Sequence, residues 1–275
     1  MTFPFMLDLF GLRLHPHPVL EGLGYFAGAR LYFALRRRSP EPPLPLEANL
    51  WILVGALFGA FFGAKILAWL ESPAYYLTAV GTWRTFFGEY TGLSPAAQTS
   101  PTGDWSVLLG GKTIVGALLG GWAGVEFAKR CNGVRRSTGD LFVYPLALGT
   151  AIGRVGCFLT GLPDHTYGVA TTLPWGVDFG DGVMRHPTQL YESLFVLLWA
   201  GSLWWIRRGR KWPAGVLFRV YVAGYLTFRF AIEFIKPREL AVGGLSAIQL
   251  ACLGGLVVAL ASLVSLFRRG PTPTA

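Results

Sequence analysis

Two arginines in this sequence stand inside apolar stretches, where an unpaired charge is costly. Arg154 occurs in Gly153-Arg154-Val155-Gly156, and the flanking glycines weaken a helix and let a ligand approach its backbone. Arg229 and Glu233 in Phe228-Arg229-Phe230-Ala231-Ile232-Glu233 are four apart, so a helix carries them on one face. A charge at a bilayer centre costs at least ~2.5–3.5 kcal/mol on insertion scales, so such residues usually face a partner or a polar cavity. The plain reading of Arg229 and Glu233 is an internal ion pair that orients its helix. The chemical reading is that two guanidiniums converge on one phosphodiester, with Glu233 positioning one of them. The planar guanidinium fork suits this task because it binds phosphate bidentately. A third polar group is Arg185-His186-Pro187-Thr188-Gln189-Leu190-Tyr191-Glu192. Gln189 and Glu192, three apart at the start of an apolar helix with Pro187 in its first turn, look like capping. His186, Gln189, Tyr191 and Glu192 on adjoining turns are nonetheless more polar than a cap needs. Asp164-His165 precedes them, and a histidine at 165 or 186 is either a base or, more commonly, a surface or capping residue.

The elements that must position these groups are apolar helices. The 275 residues are 52% hydrophobic with 14% charged, against roughly 25% charged in ordinary globular domains, and mean hydropathy is +0.45. A spanning helix needs about 20 apolar residues. Seven stretches qualify, at 18–36, 50–70, 105–128, 140–160, 189–206, 215–235 and 246–267. The expected fold is all-α, a polytopic membrane protein of about seven transmembrane helices forming one membrane domain over 1–275. Thirteen basic residues follow the odd-numbered spans (Arg36–Arg38, Lys129, Arg130, Arg135, Arg136, Arg207, Arg208, Arg210, Lys211, Arg268 and Arg269). Five lie on the other side (Arg13, Arg84, Arg185, Lys236 and Arg238). The positive-inside rule then puts the N-terminus outside and the C-terminus in the cytoplasm. Two long connections, 71–104 and 161–188, fall on the outer face; the first carries Tyr75, Tyr76, Trp83, Phe86, Phe87 and Tyr90, as a segment in the headgroup region would.

Several features have plainer readings. The net charge of +9 flanks apolar segments, so topology explains it and no nucleic-acid partner is expected. Cys131, Cys157 and Cys252 lack metal-ligand spacing and read as free thiols. Glycines repeat every fourth residue at 55, 59 and 63 and at 116, 120 and 124, each set lining a helix face that lets a neighbouring backbone approach. Arg219, Lys65 and Lys112 lie near span ends, where long side chains snorkel to the interface. The first 18 residues do not have the build of a cleaved signal peptide. No inverted repeat or pair of broken helices suggests a transporter.

Taken together, the motifs resemble the prolipoprotein diacylglyceryl transferases. The resemblance rests on residues 185–192, on Gly153-Arg154-Val155-Gly156-Cys157-Phe158, on Arg229 through Glu233 and on Gly244-Leu245-Ser246-Ala247-Ile248-Gln249. Gly22-Leu23-Gly24-Tyr25 adds weaker support, and motif order agrees over roughly residues 18–267. It implies a seven-helix enzyme of the bacterial inner membrane with its active site toward the periplasm. Members move the diacylglyceryl group of phosphatidylglycerol to the thiol of a lipobox cysteine in a prolipoprotein, giving a thioether and glycerol phosphate. The matching positions are Tyr25, Arg154, Arg229, Glu233, His186, Gln189, Tyr191 and Glu192. Arg154, Arg229, Glu233, His186 and His165 are the catalytic candidates, and Tyr25, Gln189, Tyr191 and Glu192 the substrate-binding ones. The implied partners are phosphatidylglycerol, a prolipoprotein signal peptide and the bilayer, with no cofactor or metal. Arg154 and Arg229 would meet the phosphate, while His186, or His165 with Asp164, would generate the thiolate that alkylation requires. Two departures stand out. Val115-Gly116-Ala117-Leu118 occupies the place of the family's His-Gly-Gly-Leu, and Cys157-Phe158-Leu159-Thr160-Gly161-Leu162 replaces an asparagine-rich run ending in Gly-Glu. A related transferase with another acceptor, or a non-catalytic phospholipid-binding subunit, are the alternative readings.

Overall fold

A computed structural model describes residues 3–9, 11–73, 111–210, 212–237 and 243–269. The aromatic run from Tyr75 to Tyr90, together with Arg84, Lys211 and Arg238, lies outside the described residues. The described residues are mostly helical, at 70% helix. Its long helices are α1 (Pro16–Arg38), α2 (Leu46–Glu71), α3 (Ile114–Cys131), α4 (Val143–Thr160), α5 (Thr188–Arg207), α6 (Val216–Ile232) and α7 (Ala247–Arg269). Two small antiparallel hairpins accompany them, β1 (Leu7–Leu9) with β2 (Leu12–Leu14) and β3 (Val177–Asp178) with β4 (Met184–Arg185). Among the described residues, three helical segments, Leu46–Glu71, Gly139–Thr160 and Ala247–Arg268, are long and apolar enough to cross a membrane by length and composition. Leu53, Leu57, Phe58, Phe61 and Phe62 of α2 are exposed, a face that suits lipid rather than water.

The helix ends follow local chemistry. Pro16 opens α1 in its first turn, where its missing N–H costs nothing, and Arg36, Arg37 and Arg38 close it against the carbonyl end of the dipole. In the third apolar stretch α3 opens at Ile114, where Thr113 caps it by accepting from the Gly116 N–H at 3.3 Å; residues 105–110 lie outside the described residues. Asp140 caps α6 from a distant turn, accepting from the Gly215 N–H at 2.8 Å and the Phe218 N–H at 2.9 Å.

Two compact units emerge. In the unit formed by Pro43–Arg135 and Glu239–Ala251, the two glycine stripes face each other along α2 and α3. A Cβ on Gly55 would lie 2.5 Å from the Gly124 carbonyl oxygen, and one on Gly63 would lie 2.9 Å from the Gly120 Cα. Lys65 is buried in this unit and donates to the Gly111 carbonyl at 2.9 Å, so it is anchored by backbone instead of snorkelling.

The unit formed by Met1–Pro42, Arg136–Arg238 and Cys252–Ala275 holds α1, α4, α5 and α6. Here α1 lies on α4 through small residues: a Cβ on Gly24 would meet the Gly149 oxygen at 2.9 Å, and one on Gly156 would meet the His17 Cα at 3.4 Å. Ser193 ties α5 to α4 by donating to the Ala151 carbonyl at 3.0 Å. Val143, Val196, Leu217, Val222 and Leu226 fill the interior. Arg219 donates to Ser262 at 3.0 Å and to the Gly215 carbonyl at 2.9 Å, an internal role in place of snorkelling.

The glycine seam gives a direct test. Gly59→Leu should force α2 and α3 apart and lower the unfolding temperature of the detergent-purified protein, with an overpacking cost of about 1–3 kcal/mol or more. Gly22→Leu, where an added Cβ meets nothing within 4 Å, should leave it unchanged.

Candidate active site

Three helices end or begin at one buried cluster of charges. Arg154 comes from the last half of α4, Glu192 from the second turn of α5 and Arg229 from the last turn of α6. Arg154 Nη2 lies 2.8 Å from Glu192 Oε2, and Arg229 Nη1 lies 3.6 Å from the same oxygen. Tyr225 Oη donates to Glu192 Oε1 at 2.7 Å, and Arg229 Nη2 donates to Glu233 Oε2 at 2.9 Å. None of Arg154, Glu192, Arg229 and Glu233 is more than 5% exposed. Beyond Ile232 the chain tightens into a 3-10 turn, Glu233–Ile235, and Lys236, half-buried just past it, is near enough for its charge to be felt by the cluster. Burial, and behind it the Arg229 charge, push the Lys236 ammonium down to about 8.

Three cations therefore face two carboxylates. With Lys236 protonated, the cluster carries one net positive charge. Its hydrogen bonding is also incomplete: Arg154 Nε, Arg229 Nε and Nη1, and both polar atoms of the Gln189 amide find no hydrogen-bond partner among the described residues. Buried donors left in this way cost about 1–3 kcal/mol each, more when charged. An anion with several acceptor oxygens would satisfy both the charge and the donors.

Of the residues singled out in the sequence, Arg154, Glu192, Arg229 and Glu233 meet directly, and Gln189 is buried on the same helix as Glu192. The capping reading of Gln189 and Glu192 does not hold. Pro187 is the residue before α5, not part of its first turn; no side chain caps the helix, and the Glu192 carboxylate is occupied by Arg154 and Tyr225. His186 and Tyr191 form a separate pair, with His186 Nδ1 3.3 Å from Tyr191 Oη, which also accepts from Trp175 Nε1 at 2.7 Å. Tyr25 is 69% exposed on α1 and donates to Glu21 at 2.8 Å, so it is not part of the charge cluster. His165 is exposed, with φ 53°, at the end of the short turn Leu162–Asp164.

Asp164 pairs with a different histidine. His17 Nδ1 lies 2.9 Å from Asp164 Oδ1, and Thr166 donates to the other carboxylate oxygen. Burial alone would raise the Asp164 carboxyl, but hydrogen bonds from His17 and Thr166 outweigh it and hold the group below its ordinary value. Cys157 joins this pair, and its sulfur is 3.9 Å from Arg154 Nη1. The sequence signal for Cys157 was its position three residues after Arg154, at a point where the motif changes. Nothing local pointed to His17, which arrives only because Gly156 lets α1 lie against α4. Lys236, a loop charge by its place in the sequence, adds its charge to the cluster.

Comparison with known proteins decides the family. The model of the prolipoprotein diacylglyceryl transferase family matches residues 4–265. The chain belongs to that family. It is similar to phosphatidylglycerol–prolipoprotein diacylglyceryl transferases from Nitratidesulfovibrio vulgaris strain DP4, 35% identical over 282 residues and covering 92% of both chains, and Geobacter sulfurreducens, 35% identical over 259 residues, 88% of this chain and 87% of that one. A relative from Nitratidesulfovibrio vulgaris strain Miyazaki F is 37% identical over 166 residues, 56% of this chain and 60% of that protein. This diacylglyceryl transferase is thus an enzyme of lipoprotein biosynthesis, and its apolar helices agree with a membrane setting.

Within the transferase the Glu192 carboxylate is the element that keeps two buried guanidiniums together. Glu192→Gln should destabilise the detergent-purified protein by about 3–5 kcal/mol, the cost of leaving buried charge uncompensated. Tyr225→Phe removes one hydrogen bond and should cost only about 1–3 kcal/mol. Thermal unfolding of the two variants side by side checks the ordering, and equal stability of Glu192→Gln and wild type would show that the charges are not a unit.

Proposed function

We propose that the transferase holds the phosphodiester of phosphatidylglycerol on Arg154 and Arg229, with Lys236 adding charge, while the diacylglyceryl group passes to the thiol of a lipobox cysteine in a prolipoprotein. The observation that carries this reading is the pair of guanidiniums from separate helices, sharing one carboxylate and keeping Nε and Nη donors without partners among the described residues. A phosphodiester has one negative charge and neutralises the cluster's net charge. As the glyceryl carbon–oxygen bond breaks, the departing glycerol phosphate gains a second negative charge. Preorganised donors in a water-poor site stabilise that developing charge most effectively. Glu192 and Glu233 position the two arginines, and Gln189 offers a further donor.

The same elements support a placement in the membrane. α4 ends, α5 begins and α6 ends at the cluster, so it lies at one end of three helices. The count of basic residues makes that end the periplasmic one. The full arrangement is then seven spans in the bacterial inner membrane, with the N-terminus periplasmic and the C-terminus cytoplasmic. Short helices such as α3, whose segment 111–113 is not helical, would cross with help from flanking residues.

One observation favours a second reading, in which the lipid site serves another acceptor: Val115 stands where the family resemblance places a histidine. Purified protein in defined phospholipid, given labelled phosphatidylglycerol and a lipobox peptide, should form the thioether. Arg229→Ala should lower the rate at least about a hundredfold, while Arg229→Lys should retain part of it. Normal turnover in Arg229→Ala would overturn the assignment. Phospholipid turnover that requires a different acceptor would select the second reading.

The Lys236 ammonium adds a pH signature. Burial disfavours its charged form, so the charge is present below a pH of about 8 and is lost above it. Stabilisation by phosphatidylglycerol over phosphatidylcholine should therefore weaken as pH rises through about 8. Lys236→Arg should remove this dependence, which thermal shifts in mixed micelles would read.

A further inference from the structure

His17, Cys157 and Asp164 come from three separate elements: the first turn of α1, the last turn of α4 and the short turn after it. Their imidazole nitrogen, thiol sulfur and carboxylate oxygen lie within 4.8 Å of one another. Each of the three is also held from behind. Thr166 donates to the Asp164 oxygen that His17 does not use, His17 Nε2 is 3.6 Å from Glu21 Oε2, and Arg154 Nη1 approaches the Cys157 sulfur at 3.9 Å. Such outer partners fix the ring and carboxylate orientation of metal ligands.

We propose that these three residues bind a zinc ion whose fourth position takes the acceptor thiol. The donor set decides the metal. One thiolate, one imidazole and one carboxylate suit zinc, whereas magnesium and calcium prefer oxygen alone. Three protein ligands with one open position is the arrangement of a catalytic zinc, not a structural one. Ligand atoms around a tetrahedral zinc lie roughly 3.3–3.7 Å apart, given bonds of about 2.0–2.3 Å. The His17–Asp164 pair at 2.9 Å needs to open by a few tenths of an ångström, and the sulfur to move inward. The geometry speaks against His17 as a simple base. Its two ring nitrogens both face carboxylates, Asp164 and Glu21, which leaves no free lone pair directed at a substrate.

The inference rests on the thiol-alkylation reading above and supplies what that reading lacks, a source of thiolate where Val115 replaces a histidine. On coordinating zinc the acceptor cysteine loses its proton to water. Its sulfur then attacks the glyceryl carbon, the carbon–sulfur bond forms, and the carbon–oxygen bond to phosphate breaks. The bond pair leaves on the phosphate oxygen as glycerol phosphate, and one proton is released overall. Nothing is oxidised or reduced. Arg154 touches both halves of this reaction, with Nη2 on Glu192 at the phosphate side and Nη1 toward Cys157 at the thiol side.

The test begins with metal content. Full-length protein purified in detergent and dialysed against trace zinc should retain about one zinc per chain. Cys157→Ser, Asp164→Asn and His17→Gln should each lower affinity by at least about tenfold, while Cys131→Ser, at an exposed free thiol, should not. Variants that elute as the wild type does exclude misfolding as the cause. Cobalt in place of zinc should then show a sulfur-to-metal absorption band that grows on adding a lipobox peptide, and not on adding its Cys→Ser analogue. Absence of stoichiometric metal, full retention by all three variants, or equal transfer by stripped and loaded protein would each overturn the proposal. A thiol-dependent cobalt band without any transfer from phosphatidylglycerol would uphold the metal site and count against the lipid donor instead.

Discussion

One carboxylate, that of Glu192, carries two guanidiniums away from water. Two like charges on neighbouring helices repel strongly in a medium of low dielectric, and only a shared counter-ion makes the arrangement tolerable. Glu192 accepts Arg154 at 2.8 Å, lies 3.6 Å from Arg229 and is itself steadied by Tyr225 at 2.7 Å. Because Arg154, Glu192 and Arg229 sit on three different helices, the electrostatic requirement is also a packing requirement. α4, α5 and α6 must meet at that point.

The compensation is incomplete, and this gives the cluster its chemical meaning. A purely structural ion-pair network would be expected to pair its donors and cancel its charge, as buried polar groups in proteins normally do. Here the guanidinium nitrogens that Glu192 and Glu233 do not reach keep their protons unmatched among the described residues. An anion with several acceptor oxygens would complete them, and in the proposed reading that anion is a phosphodiester. The membership of the chain in the diacylglyceryl transferase family supplies the identity of that lipid donor.

Close approach of backbones accomplishes the rest. Where α1 crosses α4, glycines at 24, 149 and 156 remove the side chains that would hold the helices apart. That proximity sets His17 beside Cys157 and Asp164, one helical turn from Arg154. The same device, used along α2 and α3, brings two glycine-lined backbones into direct contact. Small residues thus decide how near two helices come, and the residues beside them decide whether nearness becomes chemistry.

The sequence by itself determined the helical, membrane-suited class and the candidate arginines, because apolar length and misplaced charge are local properties that need no partner to be read. It also marked residues 185–192, as more polar than the cap they partly resemble. Only the tertiary structure decided that Glu192 belongs to Arg154 and Tyr225, that Asp164 pairs with His17 and not with its neighbour His165, and that Tyr25 stands apart. Those choices depend on which helix faces lie together, and the period of a single helix does not encode the rotation of the next. Lys236 shows the same limit: counted along the chain it is a loop charge, and only its place past the turn after α6 lets the cluster feel its charge.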